Sequence, residues 1–212
     1  MTLRAVVFDY GMVLTGPPDP AAHASLARIT GLAPSCLDEI YWAIRPENDR
    51  GTITAEEFWR QFAARAGLHL NRTQLDELNR WDVRMWTTQN PPMIAWQLAL
   101  KQRGLLTAIL SNMGDAVLAG VQREFTWLSR FDVRVWSCEL GVIKPEPAIY
   151  RHALEKLGTR LEETLFLDDR PANVEAAIAL GMRGLVFTTV VGLRADLIVA
   201  GLDKELPLPE SA

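Results

Sequence analysis

Five short apolar runs set the frame of this chain: Arg4–Phe8, Leu105–Leu110, Asp132–Ser137, Thr164–Leu167 and Gly184–Phe187. They are near-continuous in Val, Leu, Ile and Phe rather than alternating apolar with polar, the pattern of strands covered on both faces of a sheet. Helix-length amphipathic segments separate the last four: Asp115–Phe125, Glu146–Leu157 and Ala172–Leu180. Pro145, Pro147 and Pro171 stand near helix starts, where a missing N–H does no harm. Gly158 and Gly181 follow two of the helices as C-cap residues. Strand–helix alternation at this spacing requires right-handed βαβ units. The expected fold class is therefore α/β, with a doubly wound, Rossmann-like parallel sheet.

The first two strands break that rhythm. Between them the sequence reads as helical: roughly Pro20–Thr30, Ser35–Ile44, Thr54–Ala66, Arg72–Trp86 and Pro92–Arg103. Thr54-Ala55-Glu56-Glu57 has the form of a capping box. The last of these helices is the crossover into Leu105. The others form a helical cap inserted over the end of the first strand, with expected boundaries of 1–14 and 89–212 for the core and 15–88 for the cap. Trp42, Trp59, Trp81 and Trp86 lie in the insert. Their helical spacing assigns them to its core, with one or two facing the cleft as a lid. The tail from Leu206, with Pro207 and Pro209, is expected to fray.

Composition excludes several classes. Half the residues are hydrophobic (49%) and 23% are charged, as in ordinary globular proteins. No apolar stretch is long enough to span a bilayer. With Met1 running directly into a predicted strand, a signal peptide is not expected. Cys36 and Cys138 lack metal-site spacing and read as reduced, buried thiols of a cytoplasmic protein. With a net charge of −4 and no basic run, a nucleic-acid surface is not expected. His23, His69 and His152 are scattered, with no neighbours at ligand spacing. A monomer or homodimer fits this composition equally well.

Polar groups stand at the C-terminal ends of the apolar runs, where open parallel sheets bind ligands. Asp9 follows the first run and Ser111-Asn112 the second. Lys144 lies in Gly141-Val142-Ile143-Lys144-Pro145, and Asp168-Asp169 follow the fourth run. A carboxylate leaving a buried strand is held rigidly and suits a nucleophile or metal ligand. Gly11 lets the chain turn so that a backbone carbonyl can face a metal. Adjacent carboxylates repel unless a cation is present, and with Asp9 they form a hard oxygen site suited to Mg²⁺. Lys144 offsets charge among three acids and a phosphate. The Ser111 hydroxyl, with the amides of Asn112 and Met113, offers a cradle for phosphate oxygens.

In these four motifs the sequence resembles the haloacid dehalogenase-like hydrolase superfamily along nearly its whole length. The run Glu139–Tyr150 is similar to the family's third motif, and the helical stretch from about Thr15 to Thr88 looks like its α-helical cap. The resemblance implies a Mg²⁺-dependent phosphatase acting on a small phosphorylated metabolite. Asp9 would be nucleophile and metal ligand, Gly11 a carbonyl ligand and Asp169 the direct carboxylate ligand. Ser111, Asn112 and Lys144 would bind phosphate, with Asp168 and Asn173 supporting them from behind.

Gly11 departs from the family pattern. Most of its phosphatases carry a second Asp there to move protons, help worth about 10²–10⁴ in rate. The sequence Asp9-Tyr10-Gly11-Met12 looks most like the Asp-Leu-Gly-Asn of sugar-1-phosphate phosphatases. Water or a cap acid would then carry the proton, and Asp19, Glu47 and Asp49 are candidates, each otherwise a solvated surface acid. Dehalogenases place Tyr one residue later and lack the acid pair. Phosphonate hydrolases need a cap lysine, and residues 1–100 contain none. Mutases need the acid that Gly11 lacks. A phosphorylated receiver domain would carry its paired acids after the first strand. The alternative from a different class is a phosphate-ligand-binding or regulatory protein on the same scaffold.

Overall fold

A computed structural model describes residues 2–210. Its sheet contains β1 (Ala5–Phe8), β2 (Leu106–Ser111), β3 (Val133–Trp136), β4 (Thr164–Asp168) and β5 (Arg183–Val186). The strands run in the order β3-β2-β1-β4-β5, and every neighbouring pair is parallel. This is the doubly wound α/β sheet expected. Side chains alternate along each strand, so Val6 and Phe8 enter the core on one face while Ala5 and Val7 enter that on the other. Both faces are covered, which is why the runs are apolar throughout.

The helical insert comprises α1 (Pro20–Thr30), α2 (Pro34–Arg50), α3 (Ala55–Ala66) and α4 (Arg72–Met85). It has its own core, with Leu26, Tyr41, Phe58, Trp59, Phe62 and Leu78 buried together. Trp59 is fully buried there and Trp81 packs against it, whereas Trp42 is an exposed large side chain. α5 (Pro91–Gln102) returns the chain to β2. Thr15 and Gln89 form an isolated antiparallel bridge at the neck of the insert.

α2 continues past the expected end at Ile44 to Arg50, through Pro46. Proline costs a hydrogen bond inside a helix, but buried Arg45 before it and buried Asn48 after it anchor the extra turns, and Gly51 caps them at φ 78°. α6 (Asp115–Glu124), the short α7 (Ser137–Leu140), α8 (Pro147–Leu157) and α9 (Pro171–Leu180) complete the crossovers. A final helix, α10 (Val190–Val199), was not expected, since three valines, an isoleucine and a glycine among its ten residues lower intrinsic helix propensity. The Thr189 side chain caps it by accepting from the Gly192 N–H.

The tail is not frayed within the described residues. Leu206 is buried in the core, the Trp96 Nε1–H donates to the Pro207 carbonyl at 2.6 Å, and Arg194 donates to that of Pro209 at 3.1 Å. Both cysteines are free thiols, but Cys36 is exposed rather than buried. Among the described residues no helix is long and apolar enough to cross a membrane.

Candidate active site

The carboxyl edge of the sheet gathers Asp9, Ser111, Lys144 and Asp168 because β1, β2 and β4 are adjacent and end together. Asp9 is fixed as it leaves β1 by a bond from its N–H to the Leu167 carbonyl at 2.8 Å. Its Oδ1 accepts from the Tyr10 N–H at 2.7 Å and pairs with Lys144 Nζ at 2.8 Å. Lys144 Nζ also donates to Asp168 Oδ2 at 2.6 Å. The lysine is therefore a buried cation clamped between two acids.

Neighbouring polar groups hold that clamp. The Asn112 side chain binds the Lys144 backbone twice, accepting from its N–H at 2.8 Å and donating to its carbonyl at 2.9 Å. Asn173 Nδ2 donates to both oxygens of Asp168 at 3.0 Å, and the Arg170 N–H donates to Oδ1 at 2.8 Å. The Tyr150 hydroxyl in turn fixes the Asn173 carbonyl at 2.8 Å. Ser111 Oγ makes only a long 3.4 Å contact with the Asn112 carbonyl. The Met113 amide does not join it as a cradle: its N–H donates to Ser137 Oγ at 2.9 Å.

Gly11 does not make the turn after Asp9. Its φ of −63° and ψ of 139° suit any residue, and the left-handed residue is Met12 at φ 60°. Such a conformation at a non-glycine costs about 1–3 kcal/mol and persists only where the surroundings enforce it.

Asp9, Asp168 and Asp169 offer carboxylate oxygens that all lie within 4.8 Å of one another. Burial pushes the Asp9 carboxyl up against the pull of Lys144, and Asp168 and Asp169 push it further. Burial likewise raises Asp169, with Asp168 adding to it. Burial disfavours the charge on Lys144, but Asp9 and Asp168 outweigh it and hold its pKa up. One lysine thus does not neutralise three acids. A divalent cation with oxygen preference would, and the donor set fits Mg²⁺. Because Asp168 is already bonded to Lys144, Asn173 and Arg170, Asp9 and Asp169 are the acids with oxygens to spare.

The cap closes a cavity of about 400 Å³ over this edge. Of the three cap acids considered from sequence, only Asp49 reaches its wall. Asp19 instead caps α1 by accepting from the Ala21 N–H, and Glu47 is exposed. Asp49 is not a solvated surface acid, since Arg45 Nε pairs with it at 2.6 Å. Arg45 was not foreseen as a cavity residue. Its signal was the spacing Arg45-x-x-x-Asp49 before Gly51, an i,i+4 pair in a last helical turn.

A capped, doubly wound α/β domain with an acid-rich site at its carboxyl edge defines the class. The chain belongs to the haloacid dehalogenase-like hydrolase family, whose model matches residues 4–181. It is 30% identical to bifunctional epoxide hydrolase 2 of Mus musculus across 99% of this chain, and spans 41% of that relative. It is 31% identical to phosphatase MT3486 of Mycobacterium tuberculosis, covering 86% of both. Its fold matches the HAD family enzyme bt-2542 of Bacteroides thetaiotaomicron, solved with magnesium and inorganic phosphate, at TM-score 0.74 and 21% identity over 88% of this chain and 94% of that one.

Proposed function

We propose that this protein is a Mg²⁺-dependent phosphatase that hydrolyses a small phosphomonoester through an aspartyl-phosphate on Asp9. The observation that carries the reading is the buried Asp9–Lys144–Asp168 clamp beside Asp169 and a Ser111 hydroxyl held only by a long 3.4 Å contact. The likeness to a mycobacterial phosphatase across most of both chains supports it. The cap is assigned to 15–88, its neck marked by the Thr15–Gln89 bridge.

Ser111, the Asn112 amide and Lys144 bind the phosphoryl oxygens. Lys144 keeps Asp9 aimed and offsets its charge. An Asp9 oxygen attacks phosphorus, the ester P–O bond breaks, and the leaving oxygen takes a proton from water. A second water then attacks phosphorus in the acyl phosphate, releasing phosphate and restoring the Asp9 carboxylate. Asp9, the Gly11 carbonyl and Asp169 would hold Mg²⁺, which when bound supplies charge stabilisation for the transferring phosphoryl group. Asp168 and Asn173 hold Lys144 and the last loop in place.

At the level of proton handling we place the chain with the subgroup that resembles sugar-1-phosphate phosphatases, on Gly11 alone. That same glycine favours a second reading, a phosphate-ligand binder with little turnover. Acetyl phosphate hydrolysis separates the two: Mg²⁺-dependent turnover that Asp9→Asn lacks is expected of the phosphatase. Its absence in the native enzyme, with phosphate binding intact, would favour the binder.

A further inference from the structure

We infer that the cap end of the cavity receives the leaving group through apolar contact, so that the substrates are monophosphates of aromatic or alkyl alcohols rather than of sugars. The inference rests on the phosphate lying at Asp9, Ser111 and Lys144 as proposed above. In phosphoryl transfer the attacking and leaving oxygens are roughly in line. A leaving group therefore projects away from Asp9 and the sheet edge, toward the cap.

The apolar wall of the cavity comes from Trp42, Trp86 and Pro18 of the cap and from Met12, Met113 and Val117 of the core. Trp42 remains 50% exposed although it packs edge-on against Trp86, with ring centroids 6.3 Å apart. Trp86 also holds the Arg45 guanidinium over its ring at 5.8 Å.

The charged groups that the cap contributes to the cavity wall, Arg45 and Asp49, pair with one another. Arg45 pairs through Nε with Asp49 at 2.6 Å and through Nη1 with Asp82 at 3.3 Å, and it also contacts the Tyr41 hydroxyl. A sugar's hydroxyls would lie largely against indole and thioether, with Arg45 and Asp49 already engaged with each other, and burying hydroxyls without partners is costly. Hydrocarbon meets no such penalty. A second hollow of about 380 Å³ shares Pro18 and Trp42 with the first and is lined further by Leu37, Tyr41 and Met85, and by the His23–Asp38 pair.

Titration calorimetry in the presence of Mg²⁺ tests this without turnover, using methyl-, hexyl- and benzylphosphonate and the phosphonate isostere of a hexose 1-phosphate. Hexyl- and benzylphosphonate should bind at least about tenfold more tightly than methylphosphonate, since even one methylene in an apolar pocket is worth that much. The hexose isostere should gain nothing over methylphosphonate. Trp42→Ala should remove most of the tail's advantage and Trp42→Phe should retain it. Equal affinities across the series in the native protein, no binding by any phosphonate, or the tightest binding by the hexose isostere would each overturn the inference, whatever becomes of the Trp42 variants. Acetyl phosphate, which has no tail, reports on the phosphatase reading alone. Tail-dependent binding without acetyl phosphate turnover sinks only that reading, and turnover without a tail effect sinks only this one.

Discussion

Trp86 of the cap lies over Gly11 of the core: a β-carbon placed on Gly11 would meet the indole Cζ3 at 3.8 Å. That is ordinary van der Waals contact, and the backbone at Gly11 is in a region open to every residue. Neither backbone strain nor steric exclusion of a β-carbon therefore explains the glycine. The position at which the resemblance implies a proton-carrying acid is here occupied by the floor beneath an aromatic wall.

Gly11→Asp should consequently fold and should gain a proton carrier. Such a group contributes about 10²–10⁴ in rate, less whatever the neighbouring indole costs in placement. The variant is expected to raise kcat on an alkyl phosphate at least about tenfold, and to speed acetyl phosphate hydrolysis as well, because the restored group also activates the water that cleaves the acyl phosphate. Steady-state rates on both substrates check this. An unchanged or lower rate on the alkyl ester contradicts it.

Removal of divalent metal should abolish turnover, and Mg²⁺ should restore it. Asp169→Asn takes away the acid with oxygens to spare, so the Mg²⁺ concentration needed for half-maximal activity should rise by roughly tenfold or more, in line with losses from altered metal sites. A titration of activity against Mg²⁺ in EDTA-treated protein reads the shift. An unshifted curve would place the metal elsewhere.

Arg45→Met leaves Asp82 buried with no cation beside it, and breaking a buried pair costs about 3–5 kcal/mol. Burial already raises Asp82 above its ordinary 3.8, with Arg45 and the Tyr41 hydroxyl holding it back. Losing Arg45 raises it further. A carboxyl with a raised folded-state pKa binds its proton more tightly folded than unfolded. Stability is therefore greatest below 3.8 and lost as pH rises through the folded pKa. Urea unfolding should show the penalty of Arg45→Met shrinking as pH falls from neutral toward the ordinary carboxylate range. A pH-independent penalty contradicts the assignment.

Gly51 and Gly31 both hold left-handed conformations, at φ 78° and 69°, but in different surroundings. A β-carbon on Gly31 meets nothing within 4 Å, whereas one on Gly51 would lie 2.4 Å from the Cys138 carbonyl oxygen. Gly31→Ala should cost about 1–2 kcal/mol from backbone strain alone. Gly51→Ala should add a further 1–3 kcal/mol, roughly the cost of overpacking, because the cap there presses directly on the core. Equal losses in chemical denaturation would show that this contact is not tight.

Much of this was legible in the sequence, for identifiable reasons. The five strands announced themselves because burial on both faces demands unbroken apolar runs, and Asp9, Ser111 and Asp168 followed as the residues that end them. Lys144 was visible from its proline-flanked loop. Besides α10, three features were not legible. The left-handed residue is Met12, which carries no glycine signal. α2 passes through Pro46, so a local rule against proline hid the turn that bears Arg45 and Asp49; tertiary anchoring by Arg45 and Asn48 overrode it. The tail after Leu206 lacks periodicity, and only the Trp96 and Arg194 partners reveal why it is held.

The claim on which the account rests is that phosphorus passes through Asp9. With no acid–base group at Gly11, attack of water on the acyl phosphate should be slow and the phosphorylated enzyme should accumulate. The direct measurement is acid quenching of Mg²⁺-loaded enzyme during turnover of phosphorus-labelled acetyl phosphate, followed by peptide mapping. The account predicts label on the peptide containing Asp9, none in Asp9→Asn, and loss of phosphate release in that variant. Phosphate release by Asp9→Asn at the native rate, with no label on the Asp9 peptide of the native enzyme, would contradict it.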